Sequence, residues 1–169
     1  MQRLIDKNIH QIENNRLICV SENKECLCLI CNGRYFFNID LENKIYKDEL
    51  RTDTGWVKHC DNIICSTELQ DITIWIEFKS QARHNKIKDA YEQIEKTFEK
   101  FGQSIDKNYA VIVFNDIIHS SNRISQTVLQ TILKQWNSKI NEKGALFIQE
   151  RTLRLEYKPQ EEIISTFNI

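Results

Sequence analysis

The sequence predicts a mixed α/β domain, with a central sheet flanked by helices and a β-rich extension at the N-terminus. Three observations predict it. Residues 70–80 alternate apolar and polar side chains, residues 86–101 and 121–140 carry apolar stripes at helical spacing, and residues 109–114 are an uninterrupted apolar run. The 169 residues suit one domain, and 41% hydrophobic with 28% charged residues is a globular balance. One Pro and four Gly exclude a collagenous, proline-rich or glycine/serine-linker chain. A formal net charge of -1 supplies no whole-molecule field for a polyanion, so any nucleic-acid contact must come from a local patch.

The elements follow in order. Leu4, Ile5, Ile9 and Ile12 recur at helical spacing and predict a short amphipathic helix over 2–14. Residues 16–20, 25–30 and 34–39 are short apolar or alternating runs separated by polar segments, which reads as a β meander with a tight turn at Asn32-Gly33. Residues 41–56 are polar, and Leu41, Ile45 and Leu50 fit a helix or a strand. Residues 57–66 read as a strand through Ile63, Ile64 and Cys65. Residues 70–80 place Ile72, Ile74, Ile76 and Phe78 on one face, and Asp71, Thr73, Trp75, Glu77 and Lys79 on the other. The polar link between these two runs predicts an antiparallel hairpin.

Residues 86–101 then change period. Ile87, Ala90, Tyr91, Ile94, Thr97, Phe98 and Phe101 make one helical stripe, with Gly102 as the stop. The run 109–114 suits a strand buried on both faces. Residues 121–140 predict a second helix with Ile124, Val128, Ile132, Trp136 and Ile140 inward and Ser121 or Asn122 as its cap. Residues 145–148 and 153–157 are late strands. The chain therefore divides, within one domain, into a helix and β meander (1–54), a core (55–150), and a C-terminal strand and tail (151–169).

The chemistry concentrates on one strand. Glu77 and Lys79 share a face, about 7 Å apart along the chain. As a solvent-facing ion pair they contribute little. With a second carboxylate they become a hydrolytic site, in which acids hold a divalent cation and the ammonium positions water and offsets phosphate charge. Asp61 stands at the start of the partner strand, near the row of Glu77 and Lys79 in such a hairpin. Two oxygen ligands and a lysine suit Mg²⁺ or Mn²⁺.

Asp61 in Cys60-Asp61-Asn62, followed by Glu77-Phe78-Lys79, resembles the PD-(D/E)XK nuclease superfamily, although no Pro precedes the Asp. The local flavour is similar to small nucleases of prokaryotic defence and mobile elements. The resemblance covers residues 55–150 and implies a restriction-endonuclease-like core, metal-dependent hydrolysis of phosphodiesters (DNA foremost), and a second copy or a partner protein. It implies that Asp61 and Glu77 bind the cation beside a backbone carbonyl near Phe78, that Lys79 orients water or stabilises the transition state, and that Gln93 on the following helix leans over the site. A further acid from the first helix is expected in that superfamily, and Glu13 and Glu49 are the candidates.

Lys79, Arg83, His84, Lys86 and Lys88 precede the next acid, Asp89. They read as a solvated loop or as phosphate contacts beside the scissile bond. Nothing reads bases, so no sequence preference is expected. His59 falls two residues before Asp61 and could line the site, while Trp75 is expected to pack under a helix rather than stack on a base. His119 with Asp116 and Ser121 lacks a nucleophile elbow. Cys28-x-x-Cys31 resembles half a zinc knuckle, with Cys26 nearby. Its partners, Cys60 and Cys65, point to opposite faces of a strand, so the cysteines are expected as buried small hydrophobes.

No run approaches the roughly 18 apolar residues of a membrane span. Residues 1–16 carry no secretory core, and the cysteines suit reduced thiols in the cytoplasm. Two other classes remain: an inactive nuclease-like fold serving as a binding or regulatory module, and an unrelated α/β protein whose Glu77–Lys79 pair is only surface.

Overall fold

Alternation along residues 70–80 gives a strand whose two faces meet different partners, and this strand organises the molecule. The structure is a computed structural model, and it describes residues 1–5, 11–22, 24–67, 71–80, 84–102, 105–114, 126–140, 144–159 and 162–166. In chain order the elements are α1 (Gln2–Ile5), β1 (Gln11–Glu13), β2 (Arg16–Val20), β3 (Cys26–Ile30), β4 (Phe36–Asp40), a 3-10 turn (Lys44–Tyr46), α2 (Lys47–Leu50), β5 (Arg51–Thr52) and β6 (Gly55–Trp56). They continue with β7 (Asn62–Ser66), β8 (Ile72–Lys79), α3 (His84–Phe101), β9 (Lys107–Phe114), α4 (Gln126–Ile140), β10 (Leu146–Glu150), β11 (Thr152–Lys158) and β12 (Glu162–Ser165).

The fold is mixed α/β. The larger sheet runs β1-β4-β7-β8-β9-β10, antiparallel as far as β8 and parallel from β8 to β10. A four-stranded sheet, β12-β11-β3-β2, lies against it, and β5 and β6 form a small hairpin. Helices α3 and α4 cover one face of the larger sheet, where Ile63, Trp75, Ala110 and Ile112 meet Ile87, Ile94, Phe98, Ile132 and Trp136. The second sheet covers the other face, where Ile74, Ile76, Val111 and Val113 meet Leu17, Leu27, Leu29 and Leu155. Three layers result, with two apolar cores either side of β8 and β9. This burial is the main stabilising contribution, at roughly 25 cal/mol per Å² of apolar surface.

Trp75 packs under α3 as expected. It is fully buried, donates Nε1–H to Asn108 Oδ1 at 3.0 Å, and meets Phe98 edge-on with ring centroids 6.0 Å apart. Phe98 in turn meets Trp136 at 5.4 Å, so one phenyl ring ties α3 to both the sheet and α4. Gly102 ends α3 because a Cβ there would stand 2.4 Å from the Phe98 ring and 2.7 Å from the Trp75 ring.

Several expectations change. Of the helix expected over 2–14, residues 2–5 are α1 and residues 11–13 are instead a strand paired with β4, while residues 6–10 lie outside the described residues. The meander does not stay in one sheet. β2 and β3 form a hairpin in the smaller sheet, whereas β4 sits between β1 and β7 in the larger one. The cause is patterning: Phe36 feeds one core while Phe37 and Ile39 feed the other, so β4 needs cover on both faces. Asn32 and Gly33, at φ 48° and 84°, make the left-handed turn that sends the chain across. The strand over 57–66 is regular only from Asn62, and residues 162–165, expected in the tail, pair with β11. The Ser121 and Asn122 caps lie outside the described residues.

Candidate active site

Register builds the site. The β7–β8 ladder pairs Ile63 with Trp75 and ends at Asn62 opposite Ile76. One step further along the same register, Asp61 falls beside Glu77. The Phe78 N–H, beyond the ladder, has no strand partner on that side, and Asp61 Oδ2 accepts it at 2.7 Å. Asp61 is thus held at the strand end by the backbone it extends.

Glu77 lies on the helix-facing side of β8, only 1% exposed. Lys79, two residues on, turns its ammonium back to Glu77 Oε1. It also donates to Gln93 Oε1 at 2.5 Å and stands 3.6 Å from Asp89 Oδ2. Gln93 anchors the other end by donating Nε2–H to the His59 carbonyl at 2.9 Å. One turn along α3, the Thr97 hydroxyl accepts the Cys60 N–H at 2.9 Å and donates to the Gln93 carbonyl at 2.7 Å. Gln93 and Thr97 therefore clamp the segment that delivers Asp61. The four sequence-predicted side chains, Asp61, Glu77, Lys79 and Gln93, meet in one place.

The electrostatics are those of two acids crowded away from water. Burial pushes the Glu77 carboxyl up to about 8, and the Asp61 charge adds to the rise against the pull of Lys79. Burial pushes Asp61 up to about 6, with the Glu42 charge adding to it while the Phe78 N–H and Lys79 oppose it. Glu77 Oε2 is buried without a hydrogen-bond partner among the described residues. A hard divalent cation answers this combination, an orphaned carboxylate oxygen beside a second carboxylate. Among the described residues no three His, Cys, Asp or Glu side chains converge on one ion. Two protein carboxylates suit Mg²⁺ or Mn²⁺, which keep several of their waters.

The remaining candidates divide. Lys86 and Lys88 are exposed on the first turns of α3; Arg83 lies outside the described residues, and only the backbone of His84 is described. His59 contributes its carbonyl; its ring is 3.9 Å from Glu42 Oε1. Glu13 lies on β1 and Glu49 on α2. The charge of a further acid, Glu42 in the turn after β4, reaches Asp61. The sequence signal for Glu42 is weak, one of four acids in the polar stretch 41–56. Cys19, Cys28, Cys31, Cys60 and Cys65 are buried free thiols and Cys26 is half-buried. Asp116, His119 and Ser121 lie outside the described residues. No helix among the described residues is long and apolar enough to cross a membrane.

Comparison with protein-family models, curated proteins and solved structures finds no match to this chain.

Proposed function

We propose that this chain is a metal-dependent nuclease with a restriction-endonuclease-like core, acting in the cytoplasm in prokaryotic or phage defence. The observation that carries the reading is the meeting of Asp61, Glu77, Lys79 and Gln93 from three separate elements, in the order Asp…Glu-x-Lys…Gln that the superfamily resemblance implies.

Asp61 and Glu77 are the residues that would hold Mg²⁺ or Mn²⁺, which supplies Lewis-acid polarisation of a phosphate oxygen and an acidified water. The chain's own side chains do the rest. The Phe78 N–H fixes the Asp61 carboxylate. Lys79, held between Glu77 and Gln93, presents a preorganised positive charge to the developing phosphorane and orients the attacking water. Gln93 is a positioning residue, because it reaches the chemistry only through Lys79 and the His59 carbonyl. Lys86 and Lys88, exposed on the first turns of α3, would contact backbone phosphates.

The second reading, an inactive nuclease-like binding module, is favoured by one feature: the surface on the far side of Asp61 is acidic, with Asp40 and Glu42 beside it. Incubation with plasmid, linear DNA and RNA, each with Mg²⁺, Mn²⁺ or EDTA, separates the two. The nuclease cleaves at least one substrate with Mn²⁺ and stops with EDTA or in Glu77→Gln. Absence of cleavage of every substrate by folded wild type, with either cation, leaves the binding module as the reading.

A further inference from the structure

A cleft of about 600 Å³ opens between the β2–β3 hairpin and the end of β4, and reaches Asp61 at one end. Among the described residues its walls carry five carboxylates, Glu22, Glu25, Asp40, Glu42 and Asp61, and no Lys or Arg. Lys24, in the hairpin turn, is exposed and is not one of the walls. Acids on one wall are ordinarily a solvated face; Glu25 is not. It is 1% exposed, with one carboxylate oxygen accepting the Ser21 hydroxyl and the other, Oε1, buried with no donor among the described residues. An unpaired buried carboxylate oxygen is destabilising unless a ligand supplies the donor.

The spread of charge selects the ligand. The acids are spread along the cleft, and among the described residues no three of them converge on a point, so a ligand with several separated positive charges matches them better than one ion. A phosphodiester is repelled by the cleft. Cys19 and Phe78, which face the core between the two sheets, give the lining its apolar part. Ammonium groups separated by methylene segments answer both features, and the volume falls within the range of small-ligand pockets, roughly 300–1,000 Å³. We propose that this cleft binds a linear aliphatic polyamine, its amines on the carboxylates and its methylenes on the apolar part of the lining. The site is separate from the nuclease reading except at Asp61, which belongs to both.

Calorimetric titration of the full chain with spermine, at low salt and without divalent cations, tests it. Binding is expected with one spermine per chain, weakened about tenfold by Glu42→Gln and by Glu22→Gln, as loss of one charge-assisted contact requires. Both residues are exposed, so these variants fold, and they decide the matter even where Glu25→Gln does not. Glu99→Gln, on the opposite side of the molecule beside Lys139, leaves binding unchanged. No spermine binding, or binding equal in wild type and both cleft variants, overturns the proposal. So does binding of a tetralysine peptide where spermine fails, which reassigns the cleft to a basic protein partner. None of these outcomes depends on cleavage activity.

Discussion

Raising the pH from about 5.5 to about 7.5 without divalent cations destabilises this protein, and Glu77→Gln removes most of that loss. Glu77 titrates from an ordinary 4.5 to about 8 in the folded chain, and Asp61 from 3.8 to about 6. Both carboxyls are raised, so across this window the folded pair holds about one proton that the unfolded chain has released. Stability is therefore greatest at the acid end and falls as pH rises toward the folded value of Glu77. One proton over two pH units corresponds to roughly 3 kcal/mol. Glu77 is 1% exposed, so solvent screening does little to reduce this. For a chain of 169 residues the melting temperature drops by roughly 6–12 °C. Thermal melts of wild type and Glu77→Gln, in EDTA across that window, make the comparison, and histidine contributions cancel between them. A wild-type melting temperature that stays level or rises with pH relative to Glu77→Gln refutes the reasoning.

Three further expectations concern single side chains. Lys79→Ala lowers cleavage by about 10²-fold or more, as loss of a preorganised charge at a phosphoryl centre does, while circular dichroism at acid pH stays native. Gln93→Leu removes the acceptor of the Lys79 ammonium and the donor to the His59 carbonyl; it costs about 2 kcal/mol in urea unfolding and lowers the cleavage rate, and Gln93→Glu, which keeps the acceptor, recovers part of the rate. Phe98→Ala opens a cavity between Trp75 and Trp136 and costs about 3–5 kcal/mol in urea unfolding, with no specific effect on the site.

Much of the core was legible in the sequence because its signals are local. The alternation of residues 72–79 and the stripe from Ile87 to Phe101 read directly as β8 and α3, and the hairpin they imply puts Asp61 near the row of Glu77 and Lys79. The N-terminal third was less legible because its strands divide between two sheets. Nothing local in residues 26–40 says that β3 pairs with β11, more than a hundred residues later, while β4 pairs with β7. Short apolar runs such as Ile9 and Ile12 fit helix and strand periods alike, and pairing with β4 decided for strand at residues 11–13. Thr97 and Glu42 were missed for a related reason. Each acts through a contact with a distant segment, the Cys60 N–H and the Asp61 carboxylate.

Mn²⁺ binding is the most direct probe of the site. Titration followed by the loss of the free-ion electron paramagnetic resonance signal is expected to show a site on the wild type that disappears in Asp61→Asn and again in Glu77→Gln, with both variants still folded. Equal Mn²⁺ binding by wild type and both variants contradicts a shared ion between these two carboxylates, and with it the hydrolytic reading.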